Sequence, residues 1–573
     1  MLKNAQVAAA LEQIADLLEF DGANPFRVRA YRTAAQTILD LPESVSAIVQ
    51  NPNRNLTEIR GIGADLAEKV CTLVNTGSLP LLEELLAKIP QSVLMLSRIP
   101  GVGPKKASAL YRQLGVATLD QLREACEAHR VRELKGFGAK TEEAILAGLA
   151  LASASDRRIY WAEADLVVQA VVAHLASVES VKRLAVAGSY RRGRETVADL
   201  DFLVVSDAPD EVMDRLAAME GVADVLGRGD TKMSIRMGGG LQLDLRVVPE
   251  ESFGAALQYF TGSKQHNVEL RGLAKSRGLK INEYGVFRGD ERIAGHTEEE
   301  VYAALDLPCF PPELREARWE FQWAAEGSLP KLVEREDLQG DLHMHTTATD
   351  GKATLEEMCA AALQQGLSYI AITDHSKRVT MANGLNSERL RAQWREIDRI
   401  RPKFPDLTIL KGVEVDILEK GGLDLPDDVL AEADWVVASL HYGQNQPREQ
   451  ITDRMLAAIR NPHVSAIAHP TGRIINRRKS YEIDLQTLIQ AAREYGKLLE
   501  LNANPARLDL DDLACAAARR AGVPIVISSD AHSTTGLDVL RYGILQARRA
   551  GLSKQDVANA RPWPEMQKLI GRG

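Results

Sequence analysis

Cysteine pairs, long apolar runs and a basic surplus are all missing from this sequence of 573 residues. Its five cysteines (Cys71, Cys126, Cys309, Cys359, Cys515) stand far apart, with no CxxC pair and an odd count. That argues against a disulfide framework or a cysteine zinc site and fits a reducing cytoplasm. No apolar stretch approaches the roughly 20 residues that cross a bilayer. The opening MLKNAQVAAALEQIADLLEF carries acids where a signal peptide needs an unbroken apolar core. Membrane insertion and secretion are not expected; the cytoplasm is. The chain has 70 basic and 79 acidic residues, a formal charge of −9. Residues 1–337 hold 40 basic and 49 acidic residues, whereas 338–573 hold 30 of each. A nucleic-acid binder usually shows a basic footprint. Here any such binding has to come from local clusters, with metal ions offsetting part of the acid.

What is present is enough chain for about three to five domains, at an ordinary 45% hydrophobic and 26% charged composition. Seven of eleven histidines (His343, His345, His375, His441, His463, His469, His532) crowd into the last 240 residues. Imidazole is the commonest metal ligand, so this density marks the C-terminal part for chemistry.

The first 150 residues have helical periodicity broken by short glycine turns. One pattern occurs three times, in IRGIGADLAEKV (59–70), IPGVGPKKASAL (99–110) and LKGFGAKTEEAI (134–145). Paired glycines allow positive φ and leave no Cβ in the way of a close ligand. The next helix then offers free N–H groups to a phosphate or a bridging cation. One copy alone is a helix hairpin turning on glycine. Three copies favour grip on a nucleic-acid backbone without sequence readout. This region resembles helix-hairpin-helix DNA-binding proteins.

From about residue 156 to 310, strand-like runs RLAVAG (183–188), DLDFLVVS (199–206) and LQLDLRVVP (241–249) alternate with helical stretches. Asp199 and Asp201 share one face of a strand, and Asp244 lies on the polar face of another, beside Gln242 and Arg246. If these strands are neighbours, three carboxylates converge and require divalent cations. Two such ions suit in-line phosphoryl transfer. The turn GSYRRG (188–193) adds a flexible glycine, a hydroxyl and two arginines, a cradle for a triphosphate. YFTGSKQHN (259–267) adds aromatics able to pack on a sugar or base. Residues 311–338 read as a charged connector with some helix, whose Trp319 and Trp323 pack on a neighbour.

GSYRRG, DLD, LQLDLR and YFTGS, in this order, resemble the family X DNA polymerases, relatives of eukaryotic polymerase beta, over roughly residues 1–315. The resemblance implies that Asp199, Asp201 and Asp244 hold the catalytic Mg²⁺ (or Mn²⁺) ions. It implies that Gly188, Ser189 and Arg192 grip the nucleotide phosphates, that Tyr259, Phe260 and Gly262 screen the sugar, and that Asn267 touches the base. Lys264 stands where the eukaryotic relative has an acid and is expected to add a phosphate or base contact. Gln242 replaces an arginine two residues before the third aspartate. NPFRVRAYRTAA (24–35) with GIGADLAEKV looks like the family's deoxyribose-phosphate-binding domain. Lys69 there matches the Schiff-base lysine, Arg27 and Tyr31 match 5′-phosphate contacts, and Asp65 replaces a phosphate-binding lysine. The implied DNA-binding glycines are Gly61, Gly63, Gly101, Gly103, Gly136 and Gly138, with Lys105.

After Gly340 a short apolar strand ending in a potential metal ligand recurs: YIAITDH (369–375), LTILKGVE (407–414), WVVASLH (435–441), VSAIAH (464–469) and VPIVISSDAH (523–532). Strands alternating with helices imply a parallel sheet or barrel, whose chemistry sits at the strands' C-terminal ends. DLHMHTTATDG (341–351) adds His343, His345 and Asp350. With His375, Glu414, His441, His469, Asp530 and His532 these make nine N/O ligands, enough for two or three ions. Imidazole-rich sets favour Zn²⁺, Mn²⁺ or Fe²⁺ over Mg²⁺, and such ions activate water toward a phosphoester. His463 reads as packing. DLHMH, ITDH, GVEVD, LHYG, AHP and SSDAH resemble the polymerase and histidinol phosphatase (PHP) domain across 338–573, which implies a distorted (β/α)7 barrel.

The expected fold is multidomain, α+β and α/β: a helical helix-hairpin-helix N-terminal region, a nucleotidyltransferase palm and a C-terminal distorted (β/α)7 PHP barrel. Expected boundaries are 1–85 (5′-end binding, lyase), 86–155 (two further hairpins), 156–250 (palm), 251–315 (nucleotide selection), 316–338 (linker) and 339–573 (PHP). The expected function is short-gap filling in base excision repair. The PHP site is expected to be a metal-dependent 3′–5′ exonuclease, with abasic-site endonuclease or 3′-phosphatase action as a further activity. Expected partners are gapped or nicked DNA and dNTPs, with no membrane and the chain a monomer. Two other readings stay open: a small-molecule phosphatase with a DNA-docking front half, and a non-catalytic bridge between DNA ends.

Overall fold

The computed structural model describes residues 4–570, except 40, 42–43, 60, 90–92, 94–95, 97–101, 144 and 147–157. It divides into two units, Met1–Arg157 and Arg158–Gly573.

The first unit is helical. Helices Asn4–Asp21 and Pro25–Leu39 are followed by Val45–Gln50, Ala64–Thr76, Pro80–Lys88, Pro104–Leu114 and Leu119–Glu127. Their apolar faces (Leu11, Ile14, Ile38, Val70, Leu110, Leu122 among them) join in one core. The central residue of each Gly–X–Gly turn, Ile62, Val102 and Phe137, belongs to that core. Burying the middle residue pins the turn, while Gly61, Gly63, Gly103, Gly136 and Gly138 stay at the surface.

The second unit opens with a small ladder and a mixed sheet. Strands β1 (Ile159–Tyr160) and β3 (Thr196–Val197) pair antiparallel. The sheet comprises β2 (Val181–Val186), β4 (Asp199–Ser206), β5 (Val222–Arg228), β6 (Lys232–Met237) and β7 (Gln242–Val247), in the order β2-β4-β7-β6-β5. Only β4 and β7 run parallel. Alternation along β4 sends Leu200, Phe202 and Val204 into a core with helices Trp161–Ala176 and Pro209–Ala217. On the opposite face Leu203 and Val205 pack with Phe253 and Ala256 of helix Phe253–Thr261. Period-two geometry leaves Asp199 and Asp201 on that second face, at the open end.

Helices Phe253–Thr261, Lys264–Ser276 and Glu298–Ala303 accompany an antiparallel meander of β8 (Lys280–Asn282), β9 (Gly285–Arg288) and β10 (Glu291–Ala294). The connector contains helix Glu320–Glu326. Trp319 and Trp323 pack into the large C-terminal core, with Arg520 over Trp319 at 5.1 Å and Arg519 over Trp323 at 5.3 Å.

Seven parallel strands follow, hydrogen-bonded in chain order: β11 (Gly340–Asp341), β12 (Tyr369–Ile372), β13 (Thr408–Asp416), β14 (Trp435–Ser439), β15 (Ala466–Ile467), β16 (Leu498–Asn502) and β17 (Ile525–Ser528). His345 N donates to Ala531 O (2.8 Å), and Met344 bridges Ala531, bringing the last strand back to the first. Layers of Leu342, Ala371, Leu410, Val437, Ala466 and Val526 form one core, distinct from the core under the helices. Strands covered on both faces read as continuous apolar runs, as WVVAS and YIAI do. The architecture is the expected one: helical front, palm sheet, and a near-closed (β/α)7 barrel. Among the described residues no helix is long and apolar enough to cross a membrane.

Candidate active sites

In the palm, the parallel β4–β7 ladder puts Asp201 directly opposite Asp244, with Asp199 opposite Gln242. Asp244 is held by the Ser234 hydroxyl and by Gln242 Nε2 (2.9 Å). Gln242 thus orients the third carboxylate. Burial and the adjacent Asp199 and Asp244 charges push the Asp201 carboxyl up to about 7. Partial burial and Asp244 raise Asp199 as well. Like charges forced together in this way ask for cations, and the donor set fits hard divalent ions.

The phosphate turn is close by. Ala187 N donates to Asp201 O (2.8 Å), and Gly188 begins the one-turn helix Gly188–Arg191 at φ +65°. A Cβ at Gly188 would run into the Asp201 carboxylate. Ser189 is half-buried in the same turn. Arg192 turns inward, donating to Thr261 O and to Glu316 (3.2 Å). Arg191 is locked to Glu298 (2.6 and 2.9 Å) and Thr261 (2.7 Å). Gly262, with φ +69°, caps the helix that carries Tyr259 and Phe260. These two rings meet edge to face at 5.1 Å, and Arg246 stacks on Phe260 at 4.4 Å. Lys264 is exposed at the start of the next helix. Asn267 is buried: it accepts from Gln258 (2.8 Å) and donates to Tyr259 O (2.7 Å). Arg192, through Thr261 O and Gly262, and Arg246, over Phe260, thus link the phosphate turn and β7 to the helix that carries Tyr259 and Phe260.

In the first unit, Gly61 and Gly136 have positive φ (+96° and +90°). The matching bonds Ile62 N to Ile59 O (3.0 Å) and Phe137 N to Leu134 O (2.9 Å) give two turns the same geometry. Gly63 and Gly103 are N-caps, and the spaces a Cβ would fill at Gly63, Gly103 and Gly138 are open. Lys105 falls within the helix Gly103 caps; Gly101 lies outside the described residues. Arg27 is exposed, and Lys69 is paired with Asp65 one helical turn away. Tyr31 departs from expectation. It is 1% exposed and part of the helical core, so it anchors the segment rather than facing a phosphate.

The barrel gathers all nine expected ligands at the C-terminal ends of its strands. Glu414 is central. Its oxygens lie 2.8 Å from His375 Nδ1, 3.1 Å from His469 Nε2, 3.4 Å from His343 and His441 Nε2, and 3.6 Å from His345 Nε2. Asp530 sits 3.2 Å from His345 Nε2, and Asp350 lies 3.5–3.6 Å from His532 and His375. Two ligands at ~2.1 Å on one tetrahedral ion lie about 3.4 Å apart. Three groups have ligand atoms within 4.8 Å of one another, close enough to converge on an ion: His345–Asp350–His375–His532, His343–His345–Asp530 and His375–Glu414–His441.

His343 Nε2, both ring nitrogens of His345, His375 Nδ1 and Glu414 Oε2 are buried without a well-aligned hydrogen bond, even where a neighbour is as near as 2.8 Å. Buried polar atoms are almost always paired, so five converging orphans fit bound metal. The charges agree. Burial opposes a proton on His375, yet Glu414 and Asp350 raise it to about 10. Burial likewise favours protonated carboxyls, yet the histidines hold Glu414 and Asp530 well below the usual range. The cluster draws positive charge inward. His469 and Asp530 both have positive φ (+28° and +54°), local strain of the kind stored at working sites.

A supporting shell escaped the sequence reading. Glu500 takes His343 Nδ1 (2.7 Å) and His469 N (2.6 Å), and Asp416 takes His441 Nδ1 (3.1 Å). Such carboxylates fix the tautomer and orientation of ligating imidazoles. Glu500 lies in the middle of the buried strand LLELN, so the strand-end rule does not single it out.

A three-carboxylate palm with an attached nucleotide-selection subdomain, in one chain with a histidine-rich barrel, defines a nucleotidyltransferase coupled to a metal-dependent phosphoesterase. Family models agree piece by piece: helix-hairpin-helix domain (2–79), SAM-like helix-hairpin-helix tandem (93–150), DNA polymerase beta palm (158–230), DNA polymerase beta thumb (256–316) and PHP domain (341–504). The chain is 41% identical over 566 residues, 98% of each protein, to the DNA polymerase/3′-5′ exonuclease PolX of Bacillus subtilis (strain 168). It is also similar to a probable phosphatase of Thermoanaerobacter sp. (strain X514), 32% identical over 38% of this chain and 89% of that protein. A probable phosphatase of Caldanaerobacter subterraneus matches at 34% identity over 34% of this chain and 75% of that protein. The chain belongs to the family X DNA polymerases that carry a C-terminal PHP domain.

Proposed function

We propose that this protein is a DNA polymerase that fills short gaps during base excision repair and trims primer 3′ ends at its PHP site. It would act as a monomer, on gapped or nicked DNA with dNTPs, in the cytoplasm. The observation that carries the reading is the in-register opposition of Asp201 and Asp244 beside Gly188.

In this reading Asp199, Asp201 and Asp244 hold Mg²⁺ or Mn²⁺, and the nine barrel ligands hold two or three Mn²⁺ or Zn²⁺. The ions supply Lewis acidity, at the aspartates toward the primer 3′-hydroxyl and the pyrophosphate, at the histidines toward a phosphodiester and the attacking water. The remaining work belongs to the chain. Gly188 lets the turn approach the carboxylates, and Ser189 and Arg192 take the triphosphate, with Arg192 preset by Glu316. Tyr259, Phe260 and Gly262 wall the sugar, Asn267 offers an N–H to the base, and Lys264 adds a contact from the rim. The glycine turns at 61–63, 101–103 and 136–138, with Lys105 and Arg27, hold flanking backbone. Lys69 would attack an abasic aldehyde only after Asp65 releases it.

One gel tests both sites. A 5′-labelled primer at a one-nucleotide gap is incubated with Mg²⁺ or Mn²⁺, with and without dNTPs. Extension that Asp201→Ala abolishes and shortening that His343→Ala abolishes are the expected results. Extension without shortening would redirect the barrel to another phosphoester, as the similarity to probable phosphatases allows. An unchanged primer, with folded protein bound to the gap, would overturn the enzyme reading and leave the end bridge.

A further inference from the structure

In an acidic chain, the segment GRIINRRK (472–479) has four bases in eight residues and no acid. It folds as a closed turn. Ile474 N donates to Arg478 O (2.8 Å), Arg478 N donates to Ile474 O (2.7 Å), and Asn476 occupies the left-handed region at φ +62°. The turn is anchored on two sides. Toward the barrel, Ile475 N donates to Ala506 O (2.8 Å) and Arg473 Nε to Arg507 O (2.9 Å). Toward the palm, Tyr160 Oη donates to Ile475 O (2.8 Å), Asn476 Nδ2 donates to Arg158 O (2.7 Å), and Arg473 pairs with Glu195 (2.7 Å). Arg477, Arg478 and Lys479 stay exposed, and among the described residues no carboxylate forms an ion pair with them. Arg478 gives one N–H to Gly472 O (3.0 Å) and keeps the rest of its fork free.

Each anchor leads to an active site. Arg158 is fixed to β3 through Thr196 Oγ1 (2.9 Å), and β3 runs directly into Asp199, whose charge Arg158 feels. On the other side Arg507 Nε lies 3.7 Å from Asp530 Oδ2, and Arg478 and Arg507 lie in each other's field. The basic turn is thus linked on one side, through Arg158, to the strand that leads into Asp199, and on the other, through Arg507, to Asp530. A merely solvated turn has no use for five tethers to two domains. A fixed row of unpaired guanidinium and ammonium groups is what a DNA backbone binds.

We propose that Arg477, Arg478 and Lys479, with Arg507, form a binding path for the single-stranded 3′ end of a primer. A mispaired terminus would use it to pass from the polymerase carboxylates to the PHP cluster within one encounter. The path rests on the two-site reading above, and it adds a surface that neither site requires for its own chemistry.

The test uses the full chain and the double variant Arg477→Glu/Lys479→Glu, at two exposed side chains. Protein is preloaded on a gapped template whose 5′-labelled primer has one mismatched 3′ nucleotide. The reaction is started with Mn²⁺, dNTPs and excess unlabelled gapped DNA, so that a single encounter is read. The fraction of primers corrected and extended is expected to fall at least tenfold in the variant. Extension of a matched primer and hydrolysis of bis(p-nitrophenyl) phosphate should stay within twofold. Losing two single-strand phosphate contacts should also flatten the salt dependence of oligo-dT binding, by about 1.4 in log K against log salt. A variant that corrects mismatches as often as the parent overturns the path and leaves both sites standing. A parent chain that extends primers but never removes a 3′ nucleotide overturns the path together with the exonuclease reading.

Discussion

Gly188 shows how much of the polymerase site depends on one missing methyl. Its φ of +65° suits glycine, and a Cβ there collides with Asp201. Gly188→Ala should therefore cost about 1–2 kcal/mol in stability from the left-handed backbone alone. Displacing Asp201 should cut gap-filling kcat/KM by more than tenfold while primer shortening at the PHP site is unchanged. Steady-state kinetics with both assays checks this. Glu298 is a second decisive residue. It is buried under Arg191 and Arg315; burial raises its carboxyl, but the two guanidinium groups overrule it and hold it at about 2. A folded value below the ordinary 4.5 stabilises the fold above pH 4.5, and that gain disappears as pH falls toward 2. The gap corresponds to about 3 kcal/mol. Glu298→Gln should lower unfolding free energy by about that amount at pH 7. The difference from the parent should narrow below pH 4.5, as denaturant titrations at several pH values would show.

Among the elements, the barrel strands explain why so many ligands were legible before the fold was known. A short apolar run ending in His, Asp or Glu encodes both a buried parallel strand and a ligand at its open end. DLD is legible for the same reason, because a period of two puts both carboxylates on one face. Residues lacking such a local code stayed hidden. Arg191 pairs with Glu298 across 107 residues, and Glu500 reaches His343 across 157. Tyr31 fits a phosphate-binding motif by position, yet helix packing turns it inward. The orphaned imidazoles give the barrel its own prediction. Metal bound only by the folded state stabilises it by about 2.7 kcal/mol at 100 times its Kd. Added Mn²⁺ or Zn²⁺ should raise the melting temperature, and a chelator should reverse the rise. His532→Ala, at the half-exposed rim, should shrink that shift while leaving the metal-free melting temperature unchanged.

Across the whole molecule, the polymerase turn and the barrel share one ionic network. Arg549 lies on the barrel helix Leu540–Arg549, and its side chain is 2% exposed. It donates to Arg192 O (2.8 Å), to Glu316 (3.0 Å) and to Asp512 (2.7 Å). Glu316 in turn receives Arg192 Nε, and the surrounding arginines hold its carboxyl at about 2 against the upward push of burial. The residue proposed to grip the triphosphate is thus positioned from the other catalytic domain. Arg549→Met keeps most of the volume but leaves Glu316 and Asp512 short of a partner. Breaking one side of a buried ion pair costs about 3–5 kcal/mol, so the melting temperature should fall. The kinetic signature separates positioning from simple instability. At a temperature where the variant remains folded, KM for dNTP should rise severalfold with a smaller change in kcat, because the turn loses its preset orientation. Hydrolysis of a small phosphodiester at the PHP site should be unchanged, since among the described residues no hydrogen bond or ion pair joins Arg549 to any of the nine barrel ligands. Equal losses at both sites would mean that Arg549 supports only the fold. An unchanged KM for dNTP would show that the palm sets Arg192 without help from the barrel.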